Sequence, residues 1–304
     1  MQFFKNTKWN IMGHRKIFVT VSLIMLAVTL ISFVYPGFNL SIDFAGGTLV
    51  QMKFDQPVQD DLANIRETIG DLGFGQPEIR TIGLEEDMEI QITVKAQAEG
   101  TEISDAIRTT LSENYSENPF EVRRVETVGM KIGGEFRRDT IIATLLALLA
   151  ILVYIGIRFN LPFGVASVAP LFHDVLITLG IFTVLGMEIS LPFFAALLTI
   201  VGYSLNDTIV IFDRIRENMK KAGGRSKNFV DLINDSINQT ISRTIITSVT
   251  TLLVVTSLYF LGSDAIKDFA LALIIGVVVG TYSTLYIASP VLIWWNSKWP
   301  IAKK

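Results

Sequence analysis

The sequence of 304 residues contains no cysteine and only two histidines, His14 and His173. The absence of cysteine excludes disulfide bonds, a thiol nucleophile and cysteine metal sites, and two histidines are too few for a histidine-rich metal site. The motifs H-E-x-x-H, G-x-S-x-G and G-x-x-x-x-G-K-S/T are absent as well, so neither hydrolase nor ATPase activity has support. The net charge of −3 argues against nucleic acid as a partner. We therefore expect a protein that is not an enzyme and that binds no metal and no cofactor.

Apolar residues, in contrast, make up half of the sequence, and the mean hydropathy is +0.46. Apolar runs recur near the length of about 20 residues that a helix needs to cross a bilayer. They predict a polytopic α-helical membrane protein with six transmembrane helices at residues 17–35, 140–157, 165–185, 191–212, 244–261 and 269–295. The first helix is expected to be a retained anchor, because its apolar region is too long for a signal peptide and Tyr35-Pro36-Gly37 is not a small-residue cleavage site.

Lysine and arginine predict the orientation of these helices. They occur in the N-terminal residues 1–16, after the second helix, in the loop 213–242 and in the tail 296–304. The two short loops on the opposite side, which connect the third helix to the fourth and the fifth to the sixth, contain only Lys267. The positive-inside rule therefore places both termini in the cytoplasm. The basic residues behind this prediction are Lys5, Lys8, Arg15, Lys16, Arg158, Arg214, Arg216, Lys220, Lys221, Arg225, Lys227, Lys298, Lys303 and Lys304.

The cytoplasmic loop 213–242 begins with charged residues and continues with an amphipathic pattern. Apolar residues recur every fourth position at Phe229, Ile233, Ile237 and Ile241. The pattern is compatible with a helix that lies on the membrane surface, and equally with a solvated helical hairpin that connects two transmembrane helices.

Residues 36–138 are predicted to form an exported domain, since about 100 residues is the size of one small domain. Alternating or β-rich stretches predict strands at 48–54, 78–82, 89–94 and 120–128, and helical stripes start near Val58 and Ile103. The order β-α-β-β-α-β predicts a ferredoxin-like α+β domain, an architecture that by itself implies no function.

Asp207 lies inside the fourth predicted transmembrane helix, after a stretch from 191 to 206 without any charge. A carboxylate at such depth costs roughly 2.5–3.5 kcal/mol on insertion scales, so it indicates a proton or ion pathway. Gly202 and Ser204 on the same helix would allow close approach of a neighbouring helix. The alternative is that Asp207 extends towards the cytoplasm near Asp213, which the apolar residues 209–212 disfavour.

His173 and Asp174 form a second polar pair within the membrane, in the third predicted helix. A titratable histidine beside a buried acid could relay protons, or the two could form a satisfied polar pair that bridges helices. We expect Asp174 to hydrogen-bond with Thr178 one turn later, because residues four apart face each other on a helix.

The fifth predicted helix opens with Arg243, followed by hydroxyl residues at Thr247, Thr250 and Thr251 on the same face. This stripe could line a hydrated path, with Arg243 as the partner of Asp207, or Arg243 could bind a lipid phosphate. A cation stabilises an ionised carboxylate, whereas burial without a cation favours the protonated form. A conformational change that separates Asp207 from Arg243 would thus take up a proton, and its reversal would release one.

Several strings of the sequence resemble the SecF branch of the SecD/SecF family, bacterial protein-export membrane proteins of the RND superfamily. The resemblance covers essentially the whole chain, and its most specific part is 202–218. The matching strings are Ile42-Asp43-Phe44-Ala45-Gly46-Gly47-Thr48, His173-Asp174, Ser242-Arg243-Thr244 and Gly202-Tyr203-Ser204-Leu205-Asn206-Asp207-Thr208-Ile209-Val210-Ile211-Phe212-Asp213-Arg214-Ile215-Arg216-Glu217-Asn218.

This resemblance implies an RND-type half that uses the proton-motive force to help export preproteins across the bacterial cytoplasmic membrane. It implies SecD and the SecYEG translocon as partners, with YajC and a membrane insertase as further candidates. It also implies proton coupling by Asp207, Arg243, Asp213, Asp174 and His173. Asp43, Gly46, Gly47, Gly202 and Asn206 are implied as structural motif residues, with Gly46-Gly47 as a tight turn before the first strand.

Two other functions remain open at the level of sequence. The chain could be half of an RND-type exporter for lipids or small molecules, although a single half with so small an exported domain has little surface to enclose a ligand. It could also be a scaffold subunit without transport activity, in which the buried acids only hold helices together.

Overall fold

The structure, a computed structural model, describes residues 7–82, 88–95, 101–222 and 228–301. Lys5, Arg225, Lys227, Lys303 and Lys304, which contribute to the predicted orientation, lie outside these residues. The helices of the described part are α1 (Arg15–Ser32), α2 (Ile42–Ala45), α3 (Leu62–Gly70), α4 (Glu102–Asn114), α5 (Met130–Arg158), α6 (Leu161–Val184), α7 (Leu191–Ala222), α8 (Phe229–Leu261), α9 (Asp264–Ser283) and α10 (Ser289–Lys298), with a π-helical turn at Thr284–Ala288. The strands are β1 (Asn39–Leu40), β2 (Gly47–Phe54), β3 (Glu78–Ile82), β4 (Glu89–Val94), β5 (Phe120–Val128) and β6 (Glu188–Ile189).

The chain divides into two compact units. The membrane unit comprises Met1–Asn39, Thr144–Met187 and Pro192–Lys304, and the second unit comprises Leu40–Ala143 and Glu188–Leu191. Within the described residues, six helical segments are long and apolar enough to cross a membrane. The predicted fold class, a polytopic protein with six membrane helices and a small α+β domain after the first, is therefore confirmed.

Several helices extend beyond the apolar stretches that revealed them. The α5 helix begins at Met130 rather than near 140, α7 continues through the predicted loop to Ala222, and α8 begins at Phe229 rather than at 244. The reason is that hydropathy detects only the part of a helix that matches hydrocarbon, whereas the helix itself continues until the backbone is interrupted. The α1 helix, in contrast, ends early at Ser32, ahead of Pro36, since the residue before a proline is disfavoured in the helical region.

The predicted cytoplasmic loop 213–242 consists largely of the end of α7 and the start of α8. Its apolar stripe packs against protein: Ile233, Ile237 and Ile241 are buried in one cluster with Ile215 and other residues of the membrane unit, and Phe229 is partly buried against this cluster. The stripe contacts protein, as expected for a helical hairpin and not for a helix that lies on the membrane surface.

The chain segment before α1 is fastened to this hairpin by two asparagines. Asn238 Nδ2 and Asn234 Nδ2 both donate to the carbonyl of Trp9, at 2.9 Å each. The amide of Trp9 in turn donates to Asn238 Oδ1 at 2.9 Å, and the amide of Met12 donates to Asn234 Oδ1 at 3.1 Å. These bonds satisfy the backbone groups of Trp9 and the amide of Met12, which is the first residue of a short 3-10 helix, Met12–His14. The side chain of Met12 is completely buried.

The second unit contains an antiparallel four-stranded sheet in the order β3-β4-β2-β5. Alternate residues of the strands face α3 and α4, because side chains alternate between the two faces of a strand. This face forms the core with Val50, Met52, Phe54, Ile65, Ile69, Ile90, Ile92, Val94, Ile103, Ile107 and Leu111. The strand order and the two crossover helices are those of the predicted ferredoxin-like βαββαβ domain.

Ile107 on α4 offers a direct test of this core. Its side chain is fully buried between α4 and the sheet, so Ile107→Ala should lower the free energy of unfolding of the domain by about 2–5 kcal/mol. Protease sensitivity of the domain within the purified chain, measured as urea is increased, reports this change. The neighbouring Arg108→Ala, at an exposed position, should have little effect, and equal sensitivity of the two variants would contradict the described packing.

Candidate functional site: polar residues within the membrane unit

Small residues bring three membrane helices into close contact. A Cβ added at Gly276 on α9 would lie 2.2 Å from Ile200 of α7, and one at Gly280 would lie 3.3 Å from Ser204 of the same helix. Backbones that approach so closely need small residues at the interface. This packing brings polar side chains of α6, α7 and α9 together in the interior of the membrane unit.

Asp174 lies at the centre of these helices and is completely buried. Its Oδ1 lies 2.9 Å from His173 Nδ1. Its Oδ2 accepts hydrogen bonds from Ser204 on α7 at 2.6 Å and from Ser283 on α9 at 2.8 Å. The expected bond to Thr178 is wrong, since Thr178 Oγ1 has no hydrogen-bond partner among the described residues. The reason is that donors from other helices occupy the acceptor atoms, so the carboxylate bridges three helices.

Asp207 follows Ser204 by one turn of α7 and is 2% exposed. Its Oδ2 is buried and has no hydrogen-bond partner among the described residues. Ile211, four residues further along, is buried on the same face. The carboxylate therefore lies inside the helix bundle, which does not fit the alternative of a side chain extended towards the loop near Asp213.

Arg243 on α8 is exposed and interacts electrostatically with Asp207, but no N···O distance within 4.0 Å joins the two side chains. The threonines that follow it bond mainly to their own helix. Thr247 Oγ1 donates to the carbonyl of Arg243 at 3.0 Å, and Thr250 Oγ1 donates to the carbonyl of Ile246 at 2.8 Å. Such back-bonding satisfies a hydroxyl locally. The hydroxyl groups of Thr247 and Thr250 therefore do not donate to the carboxylate of Asp207.

Asp213 lies apart from the buried acids. Its carboxylate forms an ion pair with Arg158 and a second one, at 3.5 Å, with Arg216, and its side chain is 40% exposed. Both guanidinium groups also lie over the ring of Phe159. Asp213 therefore connects the end of α5 to α7. Because these ion pairs are exposed to solvent, they contribute little to stability.

The two other motif residues of α7, Gly202 and Asn206, are exposed. A Cβ at Gly202 would meet no atom within 4 Å. The expected close helix approach therefore occurs at Ser204 and not at Gly202. This face of α7 is thus exposed at both positions within the described part of the chain.

Asp43, Gly46 and Gly47 of the second unit form a tight connection into β2. Gly46 and Gly47 adopt φ angles of +75° and +140°, which side-chain-bearing residues rarely adopt. A Cβ would also lie 2.9 Å from the backbone of Met130 at Gly46, and 2.5 Å from the carbonyl of Val94 at Gly47. Asp43 Oδ2 accepts a hydrogen bond from the amide of Leu191, the first residue of α7, at 3.0 Å. A carboxylate at a helix N-terminus satisfies a free amide and interacts favourably with the helix dipole.

Sequence reasoning did not assign Ser204 and Ser283 as ligands of Asp174, nor Arg158 as the partner of Asp213. Ser283 could have been suspected, because it is a polar residue in an apolar helix. The pair Arg158–Asp213 could not, because its two positions are far apart in the sequence and no sequence pattern connects them. No group of three or more histidine or acidic residues in the described ranges is arranged to hold a metal ion.

Comparisons with known proteins agree with this arrangement. A family model described as "Protein export membrane protein SecD/SecF, C-terminal" matches residues 107–298. A second model, the "SecD/SecF GG Motif", matches residues 31–58, which include Asp43, Gly46 and Gly47.

Individual relatives match nearly the whole chain. A protein translocase subunit SecF from Desulfurispirillum indicum is 46% identical over 284 residues, which are 92% of this chain and 90% of the relative. A protein translocase subunit SecF from Calditerrivibrio nitroreducens is 42% identical over 278 residues, which are 91% of each chain.

A solved structure shares the fold as well. The crystal structure of SecDF, a translocon-associated membrane protein from Thermus thermophilus, is 38% identical and superimposes with a TM-score of 0.85 over 98% of this chain. This chain spans only 40% of the length of that SecDF chain. Because the family model covers more than half of the sequence and the SecF relatives cover nearly all of it, the chain belongs to the SecD/SecF family of protein-export membrane proteins.

Proposed function

We propose that this chain couples the proton-motive force to a late stage of preprotein export across the bacterial cytoplasmic membrane, as a SecF-type subunit. The observation that carries the proposal is the carboxylate of Asp207, which is 2% exposed, lies within a membrane-spanning helix and has an oxygen without a hydrogen-bond partner among the described residues. An acid in this position is costly and is typical of ion pathways.

The coupling cycle uses Asp207 and Arg243. The arginine acts on the carboxylate electrostatically and not through a direct ion pair. A movement of α8 relative to α7 changes the distance between the two charges, and the Coulomb energy varies with the inverse of that distance. Separation favours the protonated acid, and approach of Arg243 favours release of the proton. Each charge that crosses the membrane potential supplies about 2.3 kcal/mol per 100 mV.

Asp174 has a structural role in this proposal, and His173 orients it. Unlike Asp207, Asp174 has both oxygens engaged, by His173, Ser204 and Ser283. A buried acid with all these donors in place stabilises one helix arrangement. Asp213, which is already paired with Arg158 and Arg216, acts at the cytoplasmic end of α7 as a structural tie.

The proposed setting follows from the family and from the charge distribution. Both termini are cytoplasmic by the positive-inside rule, so the ferredoxin-like domain is on the opposite side. SecD is the proposed partner, because this chain matches 40% of a SecDF chain. SecYEG, preproteins, and YajC with a membrane insertase complete the proposed assembly. The exposed face of α7 with Gly202 and Asn206 is available for a helix of SecD.

Asp207→Asn tests the coupling role. It keeps size and removes the titratable group, so precursor of a secreted protein should accumulate in a pulse-chase in cells that depend on the variant at wild-type membrane levels. The variant should still copurify with SecD, because the fold is retained. Clearance of precursor at the wild-type rate would show that Asp207 does not drive export.

Glu217→Gln is the matched control for that experiment. Glu217 lies on the same helix, is 46% exposed and pairs with Arg214 and Lys221. Neutralising it removes one carboxylate charge from α7 without touching the buried site, so export should proceed at the wild-type rate. A defect as large as that of Asp207→Asn would point to the charge of α7 in general.

Asp174→Ala tests the structural role of the second acid. The change leaves His173 Nδ1 and Ser204 without their acceptor, whereas Ser283 can still donate to the carbonyl of Gly280 at 3.1 Å. An unsatisfied buried group costs about 1–3 kcal/mol. The purified Asp174→Ala variant in detergent should therefore unfold at a lower temperature than the wild type. Asp207→Ala should unfold near the wild-type temperature, because Asp207 Oδ2 has no hydrogen bond to lose among the described residues. The reverse order of stability would contradict the assigned roles.

A further inference from the structure

The membrane unit contains an apolar groove that the proposed function does not use. It has a volume of about 630 Å³, within the usual range of ligand sites, and it lies between α1, α6 and α10. The α1 helix contacts α6 closely at Thr29, where a Cβ at Gly180 would lie 2.0 Å from the Thr29 hydroxyl. The groove opens over the N-terminal part of α1, away from this contact.

The walls of the groove are hydrocarbon. They include Val19, Leu26, Leu176 and Val291. The hydroxyl of Ser22 lies 2.8 Å from that of Tyr282, and His173 faces Asp174 with its Nδ1. His173 Nε2 has no hydrogen-bond partner among the described residues, but the atom is buried and not exposed to the groove. An occupant of the walls is therefore expected to be apolar, since nothing there would compensate the loss of water by a polar ligand.

One end of the groove is cationic. Arg15 and Lys16, on the first turn of α1, line it, and the described lining residues include no acidic side chain. Neither cation forms an ion pair with a described residue. Arg15 donates one hydrogen bond to the carbonyl of Met12 at 2.8 Å, and a guanidinium has further N–H donors for an anion. Trp294, which is 53% exposed, lines the groove as well, and tryptophan favours the level of lipid headgroups.

We propose that this groove binds one anionic phospholipid of the bilayer. An acyl chain lies along α1 and α6, and the phosphate of the headgroup lies at Arg15 and Lys16. An apolar channel with cations at one end is complementary in charge to an anionic lipid, and basic pockets between membrane helices select such headgroups. A zwitterionic lipid gains less, because the groove has no acidic side chain for its ammonium group.

The test uses the full chain with Trp294 as the only tryptophan, after Trp9→Phe, Trp295→Phe and Trp299→Phe. The protein is reconstituted in phosphatidylcholine vesicles that contain increasing fractions of either phosphatidylglycerol or phosphatidylcholine with brominated acyl chains, which quench tryptophan fluorescence. We expect brominated phosphatidylglycerol to quench Trp294 at a lower fraction than brominated phosphatidylcholine. Higher salt should reduce this difference, since it screens the charges.

Arg15→Gln and Lys16→Gln should each lower the preference for phosphatidylglycerol about fivefold, because one cation near an anionic headgroup contributes about 1 kcal/mol. Lys16 is exposed, so its replacement does not endanger folding. Lys298→Gln is the matched control: it removes a cation from the last turn of α10, near Trp294, that does not line the groove.

Three results would overturn the proposal. Equal quenching by the two lipids would mean that the groove holds bulk lipid without selection. Weak quenching by both lipids would mean that another occupant, such as a protein helix, fills it. A loss of preference in Lys298→Gln as large as in Lys16→Gln would assign the effect to the general surface charge.

Discussion

The structure of the membrane unit depends on one carboxylate. Asp174 accepts hydrogen bonds from serines on two other helices and faces His173 on its own. In hydrocarbon there is no water to replace a missing partner, so the three helices satisfy this acid only in one arrangement. The same arrangement requires the small residues Gly276 and Gly280, because larger side chains would push the helices apart and move the serine donors away from Asp174.

The neighbouring acid, Asp207, is also buried but is not satisfied in the same way. A helix bundle whose packing is stabilised by the hydrogen bonds of Asp174 can tolerate a second carboxylate that has an oxygen without a hydrogen-bond partner. The two buried acids therefore differ in their hydrogen bonding: both oxygens of Asp174 have partners, whereas Oδ2 of Asp207 has none among the described residues.

The Asp43 carboxylate shows what the glycine motif does within the second unit. It lies next to two glycines that allow the chain to turn sharply into β2, and it accepts a hydrogen bond from the amide of Leu191, which belongs to the same unit. The motif therefore has a physical function at a helix terminus, which its position before a strand does not reveal. Among the described residues, few apolar side chains of α1 and α5 are buried within the chain.

The sequence alone was enough to predict six membrane helices and a ferredoxin-like domain, since apolar length and alternation are local properties of each segment. It also pointed to Asp207, Asp174 and Arg243, because charged residues within apolar runs are conspicuous at any position. The structure was needed to establish that Ser204 and Ser283 bind Asp174 in place of Thr178, that Asp213 pairs with Arg158, and that the amphipathic stripe of α8 contacts protein. These partners come from different helices, and a hydrogen bond between helices depends on their relative rotation and distance, which no single segment of sequence encodes.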